Sequence, residues 1–169
     1  MLTNDYVLGL VDGEGCFHIQ INENNRRSKV EFKFSLKLRH QDKEILHELQ
    51  SFFGCGNVYI QRDKRANHSL CYRFEVQNQR EIFDIIIPFF EKNHPKIPSR
   101  YQDFKLFKEI AEIVRNNSDN LEQIKSLKSK MHWGLAVYGK TVRTVGTRSS
   151  LKAKNAMPVK PTEQGLGEV

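Results

Sequence analysis

The stretch of sequence that decides this fold reads Val7-Leu8-Gly9-Leu10-Val11-Asp12-Gly13-Glu14-Gly15. Its apolar residues cover nearly every side of a helix, which predicts a short helix that is buried and does not lie on the surface. Gly9 leaves room for a second backbone to approach closely, while Gly13 and Gly15 permit a sharp turn out of the helix. We therefore expect a buried helix that ends in two carboxylates separated by a glycine.

Those two carboxylates lie where a helix least favours negative charge. Asp12 and Glu14 are at the C-terminal end, where the helix dipole is already negative. A carboxylate buried there is costly unless a cation neutralises it, and Mg²⁺ binds through carboxylates, carbonyl oxygens and water. The alternative is that Asp12 caps a neighbouring element and that Glu14 is solvated in a turn.

Hydrophobic periodicity along the rest of the chain predicts an α+β fold with the element order αββαββα and an extra C-terminal helix. Alternation predicts two hairpins, with strands over 17–22, 31–39, 57–61 and 72–77, and it places Val58 and Ile60 toward the core. Helical spacing predicts further helices over 41–53, 80–92, 100–115 and 120–132, the second of these interrupted at Pro88. The four strands should form one antiparallel sheet that carries the helices on one face.

The composition points to a polyanionic partner. The chain has 169 residues and a formal net charge of +7. Its basic residues concentrate in residues 16–40, 56–80 and 115–169, which include both hairpins. Three cysteines without metal-ligand spacing indicate a reducing environment, so we expect an intracellular protein of a bacterial cytoplasm or an organelle. No stretch is long and apolar enough to predict a membrane span.

Residues 7–15 resemble the LAGLIDADG motif of homing endonucleases, in the variant that ends Asp-Gly-Glu-Gly and is followed by an aromatic residue, here Phe17. The resemblance covers about residues 5–115. It implies an endonuclease core over 1–115, with the sheet as a DNA-binding saddle. We then expect a helical extension over 116–140 and a basic, flexible tail over 141–169.

The resemblance also implies roles for the residues of the motif. Two copies of the helix pack together at a two-fold or pseudo-two-fold axis, with Gly9 and Asp12 structural at that interface. Asp12 is expected to accept hydrogen bonds from backbone amides there. Glu14 binds the catalytic metal, with the Gly13 carbonyl as a candidate second ligand. Because the sequence holds a single copy of the motif, we expect a homodimer joined through these helices.

The resemblance implies two further catalytic positions, but it does not select a single residue for either of them. The family places a polar, water-positioning residue at the end of the second strand, where this chain has His40 followed by Gln41. It also places a basic residue before a later helix to stabilise the phosphate, and Lys96 and Arg100 bracket that place. A plain exposed position is the alternative for His40, and helix capping or generic phosphate contact is the alternative for Lys96 and Arg100.

Strand alternation nominates the side chains that face away from the helices. A two-stranded ribbon fits the major groove, where Lys and Arg suit guanine, Gln and Asn suit adenine, and either Glu31 or Glu75 could accept from cytosine. An ordinary solvated sheet face is the alternative. The candidates for base contact are Gln20, Asn22, Lys33, Lys37, Tyr59, Gln61, Arg73 and Gln77. Further candidates for DNA binding on the same face are His18, Ser35 and Glu75. The candidates for phosphate contact are Arg26, Arg27, Lys29 and Arg39.

The function that these expectations imply is that of a homodimeric, site-specific, double-strand DNA endonuclease. By resemblance it depends on Mg²⁺ or another divalent cation such as Mn²⁺, whereas Ca²⁺ could occupy the site without supporting cleavage. It would be encoded in an intron, cut a long pseudo-palindromic target and leave short 3′ overhangs. The alternatives are an RNA maturase that assists splicing of its host intron and a catalytically silent DNA-binding protein.

Overall fold

The computed structural model describes residues 1–22, 29–61, 70–116 and 120–131. In chain order the elements are α1 (Asn4–Glu14), β1 (Gly15–Ile21), β2 (Val30–Arg39), a 3₁₀ turn (His40–Asp42), α2 (Lys43–Phe53), β3 (Asn57–Gln61), β4 (Cys71–Val76), α3 (Gln79–Glu81), a π-helical stretch (Ile82–Ile86), α4 (Ile87–Lys92), α5 (Pro98–Arg115) and α6 (Leu121–Lys130). This is the predicted α+β order with its extra C-terminal helix. The predicted tail over 141–169, and Arg26 and Arg27, lie outside the described residues.

The four strands form one antiparallel sheet in the order β1-β2-β4-β3. In the first hairpin β1 pairs with β2, and in the second β3 pairs with β4. The two hairpins are joined by the pairing of β2 with β4. Leu36 of β2 is opposite Gly15 on one side and Phe74 on the other. The start of β1, directly after α1, therefore lies beside β2 and is separated from β4 by that strand.

Phenylalanine rings fill the space between the sheet and its helices. Phe17, Phe34 and Phe74 point from the strands toward the helices and are fully buried. The Phe17 ring centroid lies 5.1 Å from that of Phe90 and 5.4 Å from that of Phe107, which belong to α4 and α5. Such contacts combine a large buried apolar area with edge-to-face geometry. The helices thus cover one face of the sheet and leave its polar face open.

The sequence predicts an interruption at Pro88, but the helical run from α3 to α4 continues through this residue. Proline lacks an N–H and cannot make the usual bond to the carbonyl four residues earlier. The residues just before it adopt a π-helical stretch instead, in which the Ile87 amide bonds to the Ile82 carbonyl. The helix therefore changes its hydrogen-bond register ahead of the proline and continues to Lys92.

Two predictions about burial are wrong. Ile60 is 45% exposed, although its alternation places it on the core face, because β3 is an edge strand. The opening helix is not buried on every side, since Tyr6 is 47% exposed and Gly9 is open to solvent. Within the four described ranges, none of the helices has the length and apolar character needed to cross a bilayer.

Candidate active site and nucleic-acid interface

Helix α1 has one closed side and one open side. It begins at Thr3, whose hydroxyl accepts a hydrogen bond from the Tyr6 amide at 3.3 Å. The closed side packs into the core through its apolar residues, Val7, Leu8 and Val11. On the open side, a Cβ built on Gly9 or on Gly13 would meet nothing within 4 Å. Contacts within this chain therefore do not require a glycine at either position, and the open side has room for another backbone.

The Asp12 carboxylate is held by backbone amides from a distant part of the chain. It accepts hydrogen bonds from Lys96 N at 2.9 Å and from Ile97 N at 3.2 Å. These amides lie at the N-terminal end of α5, whose dipole favours a negative charge. Asp12 is thus stabilised without a cation. Both amide partners belong to this chain and lie directly before α5.

Glu14 has the opposite environment. Its side chain is exposed, and within the described part of the chain its carboxylate makes no hydrogen bond or ion pair. The helix ends at Glu14, and the next position requires a glycine because a Cβ on Gly15 would lie 2.6 Å from the Val11 carbonyl oxygen. An exposed carboxylate beside the last helical carbonyls is a donor set that suits a hard divalent cation. Among the described residues, however, no group of three or more His, Cys, Asp or Glu residues could hold a metal.

Two guanidinium groups act electrostatically on Cys16, which follows this turn. Burial raises the pKa of the Cys16 thiol, and the positive charges of Arg100 and Arg73 oppose that shift. Both groups are therefore within electrostatic reach of the start of β1. The Nε atom of Arg100 is buried and has no hydrogen-bond partner among the described residues. Arg100 thus acts electrostatically on Cys16, while the Lys96 amide is bonded to Asp12 at the acidic end of α1.

His40 and Gln41 lie farther along the sheet. They form the 3₁₀ turn after β2, where the His40 amide donates to the Leu70 carbonyl at 2.9 Å. The His40 ring lies 5.5 Å from the Tyr72 ring. Since Leu36 is opposite Gly15, His40 is displaced from that pair by about 13 Å of strand. The geometry therefore does not select between His40 and Gln41 as the water-positioning residue.

The open face of the sheet carries most of the residues nominated for DNA. His18, Lys29, Arg39, Tyr59 and Gln77 are exposed, and Gln20, Asn22, Lys33, Lys37, Gln61 and Arg73 are partly exposed. Ser35 and Glu75 are each only 7% exposed, so the prediction of solvent-facing side chains is wrong for this pair. Ser35 and Glu75 are opposite each other on β2 and β4, where longer side chains of the same face shield them from solvent.

Both carboxylates proposed to accept from cytosine are already engaged within the chain. Glu31 accepts from Asn22 Nδ2 at 2.8 Å, and Asn22 in turn accepts from Gln20 Nε2 at 2.9 Å. Glu75 accepts from neighbours in the second hairpin, among them Arg73. In this arrangement neither carboxylate is free to read a base.

Sequence reasoning missed Asp103, a buried carboxylate in α5 whose negative charge contributes to the raised pKa of Cys16. It also missed that the charge of Arg73 acts on Cys16. The spacing of Arg100 and Asp103 places them on neighbouring positions of one helix surface, and this is the signal that could have identified the aspartate.

A match to a family model follows the same part of the chain. The model described as LAGLIDADG endonuclease matches residues 7–111, from the first apolar residue of α1 into α5. This chain belongs to the LAGLIDADG endonuclease family. The match includes the acidic turn, both hairpins and the helices that cover the sheet.

Individual members of the LAGLIDADG family agree with this assignment. A probable intron-encoded endonuclease 3 of Neurospora crassa is 29% identical over 136 residues, which is 76% of this chain and 24% of that protein. The crystal structure of the homing endonuclease I-TnaI is 30% identical with a TM-score of 0.65, covering 84% of this chain and 99% of that one. The LAGLIDADG homing endonuclease I-SmaMI bound to cleaved DNA is 27% identical with a TM-score of 0.66, covering 78% and 44%.

The matched lengths differ between these proteins. The chain spans between 24% and 35% of the curated relatives it matches first. It spans nearly all of the I-TnaI chain but less than half of the I-SmaMI chain. One copy of the fold therefore corresponds to a whole chain in one solved structure and to part of a longer chain in another.

Proposed function

We propose that this chain is a site-specific DNA endonuclease that acts as a homodimer on a long pseudo-palindromic duplex. The observation that carries the proposal is Glu14, an exposed carboxylate that has no partner among the described residues and ends a helix whose open side is lined by glycines. Membership of the LAGLIDADG endonuclease family supports the reaction class. The basic composition supports a nucleic acid as the substrate.

The homodimer is proposed from the open side of α1. Gly9 and Gly13 leave it without side chains, and Tyr6 exposes an apolar ring beside them. A second copy of the same helix would fill this space by close backbone approach and bring its own Glu14 to the axis. The near-complete match to the I-TnaI chain supports one fold unit per subunit.

A divalent cation such as Mg²⁺ or Mn²⁺ at this turn would activate water and stabilise charge on the scissile phosphate. Glu14 and the Gly13 carbonyl are the groups of this chain that would hold it. Because the described residues of one chain supply a single free carboxylate there, a second copy of Glu14 would complete the site. Arg100 and Lys96 would neutralise the phosphate from the side of α5, while Asp12 keeps that helix end in place.

DNA would lie across the open face of the sheet. The exposed and partly exposed Lys, Arg, Gln and Asn side chains of both hairpins are suited to the major groove. We expect the affinity to fall steeply with salt, with a slope of about −0.9 for each phosphate neutralised. Binding measured between low and moderate KCl tests this, and a flat dependence would exclude the sheet as the docking face.

Cleavage of a randomised duplex library with Mg²⁺ tests the function. The wild type should cut a discrete set of sequences and leave short 3′ overhangs at two symmetry-related positions. Glu14→Gln should bind the same duplexes and lower cleavage on the order of 10³-fold, because the anchoring charge is lost. Glu44→Gln is the matched control, since it removes an exposed carboxylate on α2 and should cut normally.

The other outcomes identify the alternatives. Binding of selected duplexes without cutting by the wild type would indicate a catalytically silent DNA-binding protein. Tight binding to host-intron RNA with enhanced splicing, but no binding to duplex, would indicate a maturase. Cutting that is unchanged by Glu14→Gln would exclude Glu14 as the metal ligand. The names of the curated relatives support an intron as the genetic location.

A further inference from the structure

One carboxylate on the open face of the sheet is buried there by its polar neighbours. Glu75 of β4 lies between Ser35 of β2 and Asn57 of β3 in the strand register. Its side chain is 7% exposed, although none of the described helices covers the face that it occupies. The side chains around it therefore shield it from solvent, and they include residues nominated above to contact DNA.

Three donors converge on this carboxylate. Arg73 approaches Glu75 Oε2 through Nη1 at 3.4 Å, and Gln77 donates through Nε2 to Oε1. The Tyr59 hydroxyl lies within hydrogen-bonding reach of the same carboxylate, which helps to raise the pKa of Tyr59. Arg73 in turn donates from Nε to Gln61 Oε1 at 2.9 Å. Four side chains from β3, β4 and the residue that follows β4 are thus joined through one anion.

This connection restricts how each side chain can move. With Nε bonded to Gln61 and Nη1 near Glu75, the plane of the Arg73 guanidinium is set from two directions. A buried carboxylate that lost these donors would be uncompensated, so the donors and the carboxylate hold one another in place. A carboxylate facing a polyanion would otherwise repel it, and Arg73 cancels that charge locally.

We infer that Glu75 is a positioning residue for DNA recognition, which makes Tyr59, Gln61, Arg73 and Gln77 one coupled reading unit. The inference rests on the proposed function and concerns its specificity. Glu75 itself does not touch a base. It fixes the arrangement in which its neighbours meet several adjacent base pairs, so the second hairpin reads a block of sequence and not one base for each side chain.

The first hairpin offers an internal comparison. Its chain of contacts runs from Gln20 through Asn22 to Glu31 and shares no hydrogen bond with the Glu75 network among the described residues. The two carboxylates therefore organise separate parts of the same face. A change at Glu75 should alter the bases read by the second hairpin and leave those read by the first hairpin unchanged.

The test uses binding of a randomised duplex library by the wild type and by Glu75→Gln. We expect the variant to lose about tenfold in discrimination at each of several contiguous base pairs, which is the loss of a well-aligned side-chain contact. The other positions of the target should keep their preferences. Glu44→Gln makes the same change in charge away from the sheet face and should leave the whole profile unaltered.

A milder variant tests the same inference in case Glu75→Gln does not fold. Tyr59→Phe removes one donor to Glu75 and keeps the ring, so it should broaden the same contiguous block by a smaller factor. Thermal unfolding and circular dichroism establish that each variant is folded. A profile that changes at a single base pair, or that does not change in folded Glu75→Gln, would overturn the inference.

A measurement without DNA separates this inference from the proposed function. Burial and the hydrogen bond to Glu75 raise the pKa of the Tyr59 hydroxyl, so Glu75→Gln should lower it, as followed by NMR of labelled tyrosine. The Arg73 Nε–H signal should be protected from exchange in the wild type and less so in the variant. A wild type that binds no duplex would overturn both proposals, whereas one that binds with its profile insensitive to Glu75→Gln would overturn this inference alone.

Discussion

The two sides of α1 have different surroundings. On the closed side Leu8 and Val11 pack into the phenylalanine core, and Asp12 is bonded to two backbone amides. On the open side a Cβ added at Gly9 would have no neighbour within 4 Å, and Glu14 is exposed without a partner in the described chain. One short helix therefore carries contacts that keep the fold on one side and groups available for a partner or a cation on the other.

The largest effect on stability should come from the closed side. Leu8→Ala is expected to lower the free energy of unfolding by about 3 kcal/mol, because it removes buried methyl groups and leaves a cavity. Urea unfolding at low protein concentration measures this with little contribution from association. Tyr6→Ala is the control on the open side, and it should cost the monomer much less. Equal losses for the two variants would contradict the division between the sides.

A smaller effect is expected at the end of the helix. Asp12→Asn should lower the free energy of unfolding by about 1–2 kcal/mol, because a neutral amide accepts less strongly from the amides of Lys96 and Ile97. Hydrogen exchange should become faster at those two amides. Asp5→Asn makes the same change in the exposed first turn of α1 and should cost at most about 0.5 kcal/mol. Unchanged exchange in Asp12→Asn would contradict the anchoring role.

The smallest expected effect is an increase, not a decrease, in the free energy of unfolding of the monomer. Gly9→Ala should stabilise the isolated fold by about 0.5–1 kcal/mol, since alanine is the better helix former and its Cβ meets nothing. The same substitution should weaken the proposed dimer, because the added methyl group separates the two backbones. Thermal unfolding and sedimentation equilibrium measure the two effects independently. A Gly9→Ala variant that dimerises as well as the wild type would place the interface elsewhere.

Local patterns predicted most of the elements because the forces behind them are local. Alternation identified both hairpins, and helical spacing identified the helices that cover the sheet. Alternation also placed Ile60 on the core face, but it could not show that the edge strand β3 leaves that position exposed. Burial at an edge depends on which strand lies last in the sheet, and this order is a property of the whole chain.

The candidate site was predictable only in part for the same reason. Glu14 stands out in the sequence because its motif is contiguous. The partners of Asp12 are 84 and 85 residues away in the chain, and no periodicity connects them. Likewise, strand parity placed Glu75 on the correct face, but its burial arises from side chains of three strands that meet only in the folded sheet.

The bond between Asp12 and the Lys96 amide also bears on how the chain folds. It closes a loop of 84 residues that contains both hairpins and α2. A contact of such high sequence separation has a large loop-closure entropy and is gained after local structure has formed. We therefore expect the acidic turn to order late during refolding and to open early in native-state hydrogen exchange, so that the proposed metal site forms only once the rest of the domain is complete.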